Sequence, residues 1–173
     1  HQALGLLYYR GNHIREAIKA YKKVVKLTPG NAAALNNLGS CYLLLGDFRS
    51  AAKAFAKSVA LVPSSWGLSN TGTMYYFSGN YERAIQMYQQ ALRLAPEDFR
   101  SYVNMGDVLR QIPDKGSMYA GFYGKAINLA LQVLEVNPED LEATLHLAHA
   151  YHFEGDSTSA NKYIDKALQI APD

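Results

Sequence analysis

The sequence predicts an all-α chain: a solenoid of about ten antiparallel helices stacked in pairs. Three observations carry that expectation. Prolines at 29, 63, 96, 138 and 172 are spaced 34, 33, 42 and 34 residues apart in a chain of 173. Each closes an apolar stretch ("VVKLTP", "VALVPS", "ALRLAP", "VLEVNP", "ALQIAP"). Proline has no amide hydrogen and disfavours helix in the residue before it, so it is a natural stop. Twelve residues before each proline lies an alanine: Ala17, Ala51, Ala84, Ala126 and Ala160. Four residues further on stand Tyr21, Phe55, Tyr88, Ala130 and Ile164, so a small and mostly a large side chain share one helical face.

Taken in order, residues 1–30 form a first unit, truncated at its start, with "LGLLY" on its first helix and the turn at Asn12. Residues 31–64 form a second, with "LGSCY" and Gly46, and residues 65–98 a third, with "TGTMY" and Gly79. Residues 99–140 carry "MGDVL" and about eight extra residues, placed near 111–118 around "QIPDKGSMYAGF". There Pro113 ends the first helix, and Ser117 caps a second helix longer by about two turns. Residues 141–173 form the fifth unit, with "LAHAY" and Gly155. Asn and Gly at the four turns accept the left-handed backbone that ends a helix. No pair can bury its apolar face alone; stacking buries it against the next. His1 falls inside the pattern and the chain stops at "APD" with no polar capping helix, so an excised segment of a larger protein is expected.

Composition narrows the class further. Half the chain is apolar and 18% is charged, as in folded domains. No apolar run approaches the roughly 20 residues of a membrane-spanning helix, so no membrane insertion is expected. One cysteine, Cys41, cannot form an internal disulfide, and a reducing, cytoplasmic setting is the default. Residues 1–62 hold nine Lys/Arg against Glu16 and Asp47, a balance of +7, and the remainder balances at −5. That asymmetry would steer a charged partner or favour head-to-tail association.

These residues resemble the tetratricopeptide repeat (TPR) family, whose pattern is W-x2-L-G-x2-Y, then A-x3-F, then P. The likeness runs through essentially the whole chain in five tandem units. His1, Leu35, Leu68, Tyr102 and Thr144 stand at the Trp position, and Ala148 replaces the fifth glycine. The resemblance implies a right-handed α-α superhelix and a protein-interaction scaffold that binds an extended peptide or partner segment in a concave groove. A lengthened unit also occurs in TPR arrays of bacterial signalling proteins, so a regulatory region of a signalling enzyme is one alternative. A self-assembling structural array, a homo-oligomer, is the other.

Carried over by position, the groove of the resembled family would be lined by Gln2, Leu6, Tyr9 and Arg10 in the first unit. The second offers Asn36, Asn37, Ser40 and Leu43. The third offers Trp66, Ser69, Asn70, Thr73, Tyr76 and Phe77, and the fourth Arg100, Asn104, Asp107 and Arg110. The fifth offers Glu142, His146, His149 and His152. Asn37, Asn70 and Asn104 share one position, and an amide matches the C=O and N–H of an extended peptide. They read equally as a backbone-gripping ladder, known in some superhelical members of the family, or as scaffold. Trp66 is the aromatic best placed for the groove; Phe77 and Tyr76 read as packing. Gln2 stands where a carboxylate clamp needs Lys, so chaperone-tail binding is not expected.

His146, His149 and His152 lie three apart, but the third drifts round the helix, so a polar lining is favoured over a metal. The basic residues Lys19, Lys22, Lys23, Lys26, Arg49, Lys53 and Lys57 fall on second helices and read as a solvated outer face, not a nucleic-acid surface. No phosphate-cradling loop, zinc-protease helix, nucleophile elbow or paired acid–base carboxylates occur. No enzyme activity, cofactor or metal is therefore expected.

Overall fold

A computed structural model describes residues 1–113 and 118–172. The described residues contain ten helices and no strand. In order they are α1 (Gln2–Arg10), α2 (Ile14–Leu27), α3 (Ala32–Leu44), α4 (Phe48–Leu61) and α5 (Ser65–Phe77). They continue as α6 (Tyr81–Leu94), α7 (Phe99–Arg110), α8 (Tyr119–Val136), α9 (Leu141–Glu154) and α10 (Ser157–Ile170). The chain divides into two compact units, His1–Leu94 with α1–α6 and Ala95–Asp173 with α7–α10. In each, a helix packs on its successor, as α1 does on α2, α3 on α4 and α9 on α10. Each unit is all-α, built of consecutive helix pairs.

Local chemistry sets the helix ends. Asn12, Gly46, Gly79 and Gly155, the four turn residues, have φ of 60°, 71°, 76° and 86°. Only at such left-handed positions does the absence of a Cβ, or an amide side chain, matter to the backbone. Asn31, Asp47, Ser64, Asp140 and Asp156 cap helices by accepting a hydrogen bond from the backbone N–H three residues on.

The recurring glycine of each first helix is a docking notch for a ring. A Cβ on Gly5, Gly39, Gly72 or Gly106 would come within 2.6–2.8 Å of Tyr21, Phe55, Tyr88 or Tyr123 respectively. Tyr21, Tyr88 and Tyr123 are among the largest fully buried side chains. Burial of one such ring stabilises by about 2–3 kcal/mol relative to leaving it exposed.

Two packing expectations are corrected here. In the fourth pair the ring on Gly106 is Tyr123, not the residue at Ala130. The long α8, 18 residues against 14 for α2, α4 and α6, accounts for this. Its phase is set by the ring that fits the notch. Ala126 and Ala130 then join the core formed with Ala143, Leu147 and Ala150 of α9. From Tyr123 to the closing Pro138 is 15 residues, where Tyr21, Phe55 and Tyr88 each precede their proline by 8. In the fifth pair Ile164 is 46% exposed. Ala148 fills the notch with its own methyl, and Tyr163 stacks on Tyr151 instead, with centroids 5.7 Å apart. The expected Ser117 cap lies outside the described residues.

Candidate functional site

The residues expected along the first helices behave differently in the two compact units. In the first, α3 and α5 flank an opening of about 280 Å³. Asn36, Ser40 and Leu43 of α3 face it, as do Trp66, Asn70 and Thr73 of α5. Its floor is Phe55, Val59 and Met74, which the sequence reading had not singled out for the site. They were hidden because a floor residue is ordinary core until two helices part above it. Trp66 is 64% exposed at the rim. Its place follows from the Ser64 cap, which starts α5 and leaves the indole on the first turn, where no preceding turn covers it.

Not every expected groove residue reaches that opening. Asn37 donates from Nδ2 to the Tyr21 hydroxyl at 3.3 Å. Gln2 accepts from Asn31 at 3.2 Å. Tyr9 packs against the core around Tyr21, and Arg10 is exposed at the end of α1. Tyr76 packs against Phe77 and Tyr81 at 5.4 and 5.9 Å, and Phe77 also meets Phe48 at 5.2 Å. These aromatics pack on one another, with Phe77 still 56% exposed. Asn70 thus lines the opening with Asn36, while Asn37 braces a tyrosine.

In the second unit the corresponding side chains engage one another. Asp107 Oδ1 accepts from the Tyr123 hydroxyl at 2.6 Å and lies 2.7 Å from His149 Nε2. Burial, and then acceptance by Asp107, raise the Tyr123 pKa well above its ordinary value and keep it a neutral donor. Arg100 bridges Asp98 at 2.7 Å and Glu142 at 3.4 Å. Arg110 lies 3.6 Å from the centre of the Phe153 ring. Asn104, half-buried on α7, is also engaged in an interaction.

The three histidines part company. His146 Nδ1 is 2.8 Å from the Glu142 carbonyl oxygen and its ring meets Phe99, while His149 is held by Asp107. His152 is exposed beside Phe153. Among the described residues no group of three His, Cys, Asp or Glu side chains could hold a metal ion. Cys41 is buried, and burial pushes its thiol up to about 11, the state of an inert core cysteine. No helix among the described residues is long and apolar enough to cross a membrane.

Helix pairs that dock a ring into a glycine notch and turn on a left-handed residue define the class: a repeat solenoid. The chain belongs to the tetratricopeptide repeat family, whose models match residues 3–65 and 117–173 and, as a TPR repeat, residues 72–112. No curated protein matches the chain. Among solved structures it is similar to MamA, at 28% identity and a TM-score of 0.69, over 98% of this chain and 88% of that one. It also resembles YrrB, described as a TPR protein with an unusual peptide-binding site (21%, 0.65, 98% and 84%). A third likeness is to pilF of Pseudomonas aeruginosa (23%, 0.65, 98% and 74%). The last two likenesses speak for the fold alone. TPR proteins bind protein partners.

Proposed function

We propose that this chain is a protein-interaction scaffold, with no catalysis of its own, that holds an extended partner segment across α3 and α5. The observation that carries the reading is the opening of about 280 Å³ with Trp66 at its rim. Its apolar floor would take a side chain, and Asn36 and Asn70 would offer donors and acceptors to the peptide backbone. Each such bond is worth about 0.5–1.5 kcal/mol net, so the indole supplies the anchor and the amides the register. The partner is a protein or peptide met in the cytoplasm, where a buried, unpaired Cys41 stays reduced.

Trp66 is the chain's single tryptophan, so its emission reports the site directly. Peptides selected on the immobilised protein should shift Trp66 emission to the blue in a saturable way. The Asn36→Ala/Asn70→Ala double variant should weaken them by about tenfold, the equivalent of two such bonds. Selected peptides that bind without moving Trp66 emission, and bind the variant equally, would take the site away from α3 and α5.

Charge favours a second reading, self-association. His1–Leu94 holds eleven Lys/Arg against three Asp/Glu, a balance of +8, while residues 95–173 hold six against twelve, a balance of −6. Assembly through that contrast would dissolve as salt rises past the Debye screening of about 0.15 M. A monomer by light scattering at low salt and high concentration would end it.

A further inference from the structure

The second helices of His1–Leu94 leave two adjoining openings that the α3–α5 site does not touch. The first is a cleft of about 500 Å³ onto which Arg49 and Lys53 of α4 and Arg83 of α6 converge. Ser78 and Asn80, from the turn between α5 and α6, lie between them, and Glu82 is the one acidic lining residue, leaving a net +2. None of the three cations has a carboxylate within ion-pair distance among the described residues. Arg83 is held in place without being neutralised: its Nη1 donates to the Tyr75 hydroxyl at 3.3 Å, and its guanidinium lies 5.5 Å from that ring's centre. Like charges gathered in one concavity repel, and Glu82 in the lining and Asp47, whose carboxylate feels Arg49 and Lys53, offset them only in part.

The second opening is a narrow crevice of about 180 Å³ walled by Val25, Leu35, Leu38 and Tyr42, with Lys53 and Lys57 at its mouth. Lys53 lines both, so cationic cleft and apolar crevice are contiguous.

We infer that this pair of openings binds a phosphorylated side chain of a partner protein, with a nearby apolar side chain of the same segment in the crevice. A carboxylate brings one charge and two oxygens. A phosphate monoester brings about −1.5 to −2 and three oxygens, which matches two guanidinium forks, an ammonium and the Asn80 amide; the Ser78 hydroxyl already donates to the Tyr75 carbonyl at 2.9 Å. The crevice favours a peptide over a bare anion or a membrane surface, because it accepts a side chain set back from the phosphate. Nucleic acid is disfavoured because Tyr75, the ring in the cleft, is 7% exposed and takes Arg83 on its face, leaving no platform for a base. The surface is separate from the α3–α5 site, and its occupancy does not depend on that reading.

The test is a titration of the ¹⁵N-labelled protein with a capped hexapeptide carrying one phosphoserine two residues from a leucine. Saturable shifts at the Gly79 amide and the Arg83 Nε–H are expected. Affinity should fall by about tenfold or more for the unphosphorylated peptide, and for R49Q and R83Q, as expected for loss of a charge-assisted contact. The Arg49 side chain makes no hydrogen bond among the described residues, so R49Q reads the cleft even where R83Q loosens Tyr75. K23Q, an exposed lysine of α2 that lines neither opening, should bind within about twofold of wild type. A loss in K23Q equal to that in R49Q would mean a diffuse field and overturn the site. Equal binding of the aspartate peptide or of inorganic phosphate would overturn the phosphopeptide assignment, as would tighter competition by anionic vesicles or single-stranded DNA.

Discussion

The two compact units fill equivalent scaffold positions in opposite ways. The residue after the notch glycine is Ser40 on α3 and Thr73 on α5 in the first unit and Asp107 on α7 in the second, with His149 following Ala148. In the first unit these side chains are neutral and short, and those on α3 and α5 flank an opening. In the second they are charged or titratable and long enough to meet, so Asp107–His149 and Arg100–Glu142 join α7 to α9. One backbone position therefore leaves an open surface when its residues cannot reach each other, and makes a staple when they can. Charge complementarity and side-chain length, not the fold, make the difference.

The largest expected effect sharpens that contrast through the notch tyrosines. Asp107 accepts from the fully buried Tyr123, Thr73 shares a 3.1 Å bond with Tyr88, and Ser40 donates to the Asn36 carbonyl, the ring in the notch beside it being Phe55, which has no hydroxyl. Asp107→Ala should cost about 2–3 kcal/mol, because a charge-assisted bond is lost and a buried donor is stranded. Thr73→Ala should cost about 1 kcal/mol, and Ser40→Ala should stay within about 0.5 kcal/mol of wild type. Urea unfolding followed by amide exchange checks the series unit by unit. Equal costs at Asp107 and Thr73 would mean that the network in the second unit adds nothing beyond a neutral hydrogen bond.

How far the sequence foretold this follows from what it encodes locally. Left-handed turns at Asn12, Gly46, Gly79 and Gly155 and the ring facing Gly5, Gly39 and Gly72 are short-range consequences of residue type and period, and they were legible. Tyr123 was not, because the extra residues shift α8 and only the notch on α7 decides which ring enters. The same limit governs the site. Position named Asn36, Ser40, Trp66, Asn70 and Thr73 as groove residues, and all five line one opening. But Asn37, at the same position as Asn70, has Tyr21 opposite it and donates to its hydroxyl, and Asp107 has His149. What stands across from a residue is a fact of packing, carried by another helix 16 or 42 residues away.

A reciprocal pair of substitutions would break the comparison if it is wrong. Trp66→Ala removes an exposed ring, so stability should change by less than about 0.5 kcal/mol. Its loss should weaken a groove-bound peptide by tenfold or more, about 1.4 kcal/mol, as expected of an aromatic anchor. Arg110→Ala should do the reverse, leaving that affinity unchanged and costing about 0.5–1 kcal/mol of stability through the lost contact with Phe153. Calorimetry on both variants, with and without peptide, reads the four numbers. A stability loss at Trp66 matching that at Arg110 would make the indole a packing residue and the opening a by-product of it.

The smallest effect concerns charge at the helix starts. Asp47 caps α4 by accepting from the Ser50 N–H at 3.0 Å, whereas Asn31 caps α3 with a neutral amide at 2.9 Å. The bonds from Ser50, aided by Arg49 and Lys53, hold the Asp47 carboxyl below its ordinary value. A carboxyl depressed on folding stabilises above its unfolded pKa of about 3.9, and that contribution is lost as pH falls through the lower folded value. Asp47→Ala should therefore cost about 1 kcal/mol at pH 7. Most of that is the cap itself, since the side chain is exposed and the ionic part is screened. The gap to wild type should narrow as the solution is acidified below the ordinary carboxylate range, whereas the similar cost of Asn31→Ala should hold constant. Thermal melts of both variants across that range decide it: a gap for Asp47→Ala that does not change with pH would mean that its carboxylate charge adds nothing to the cap.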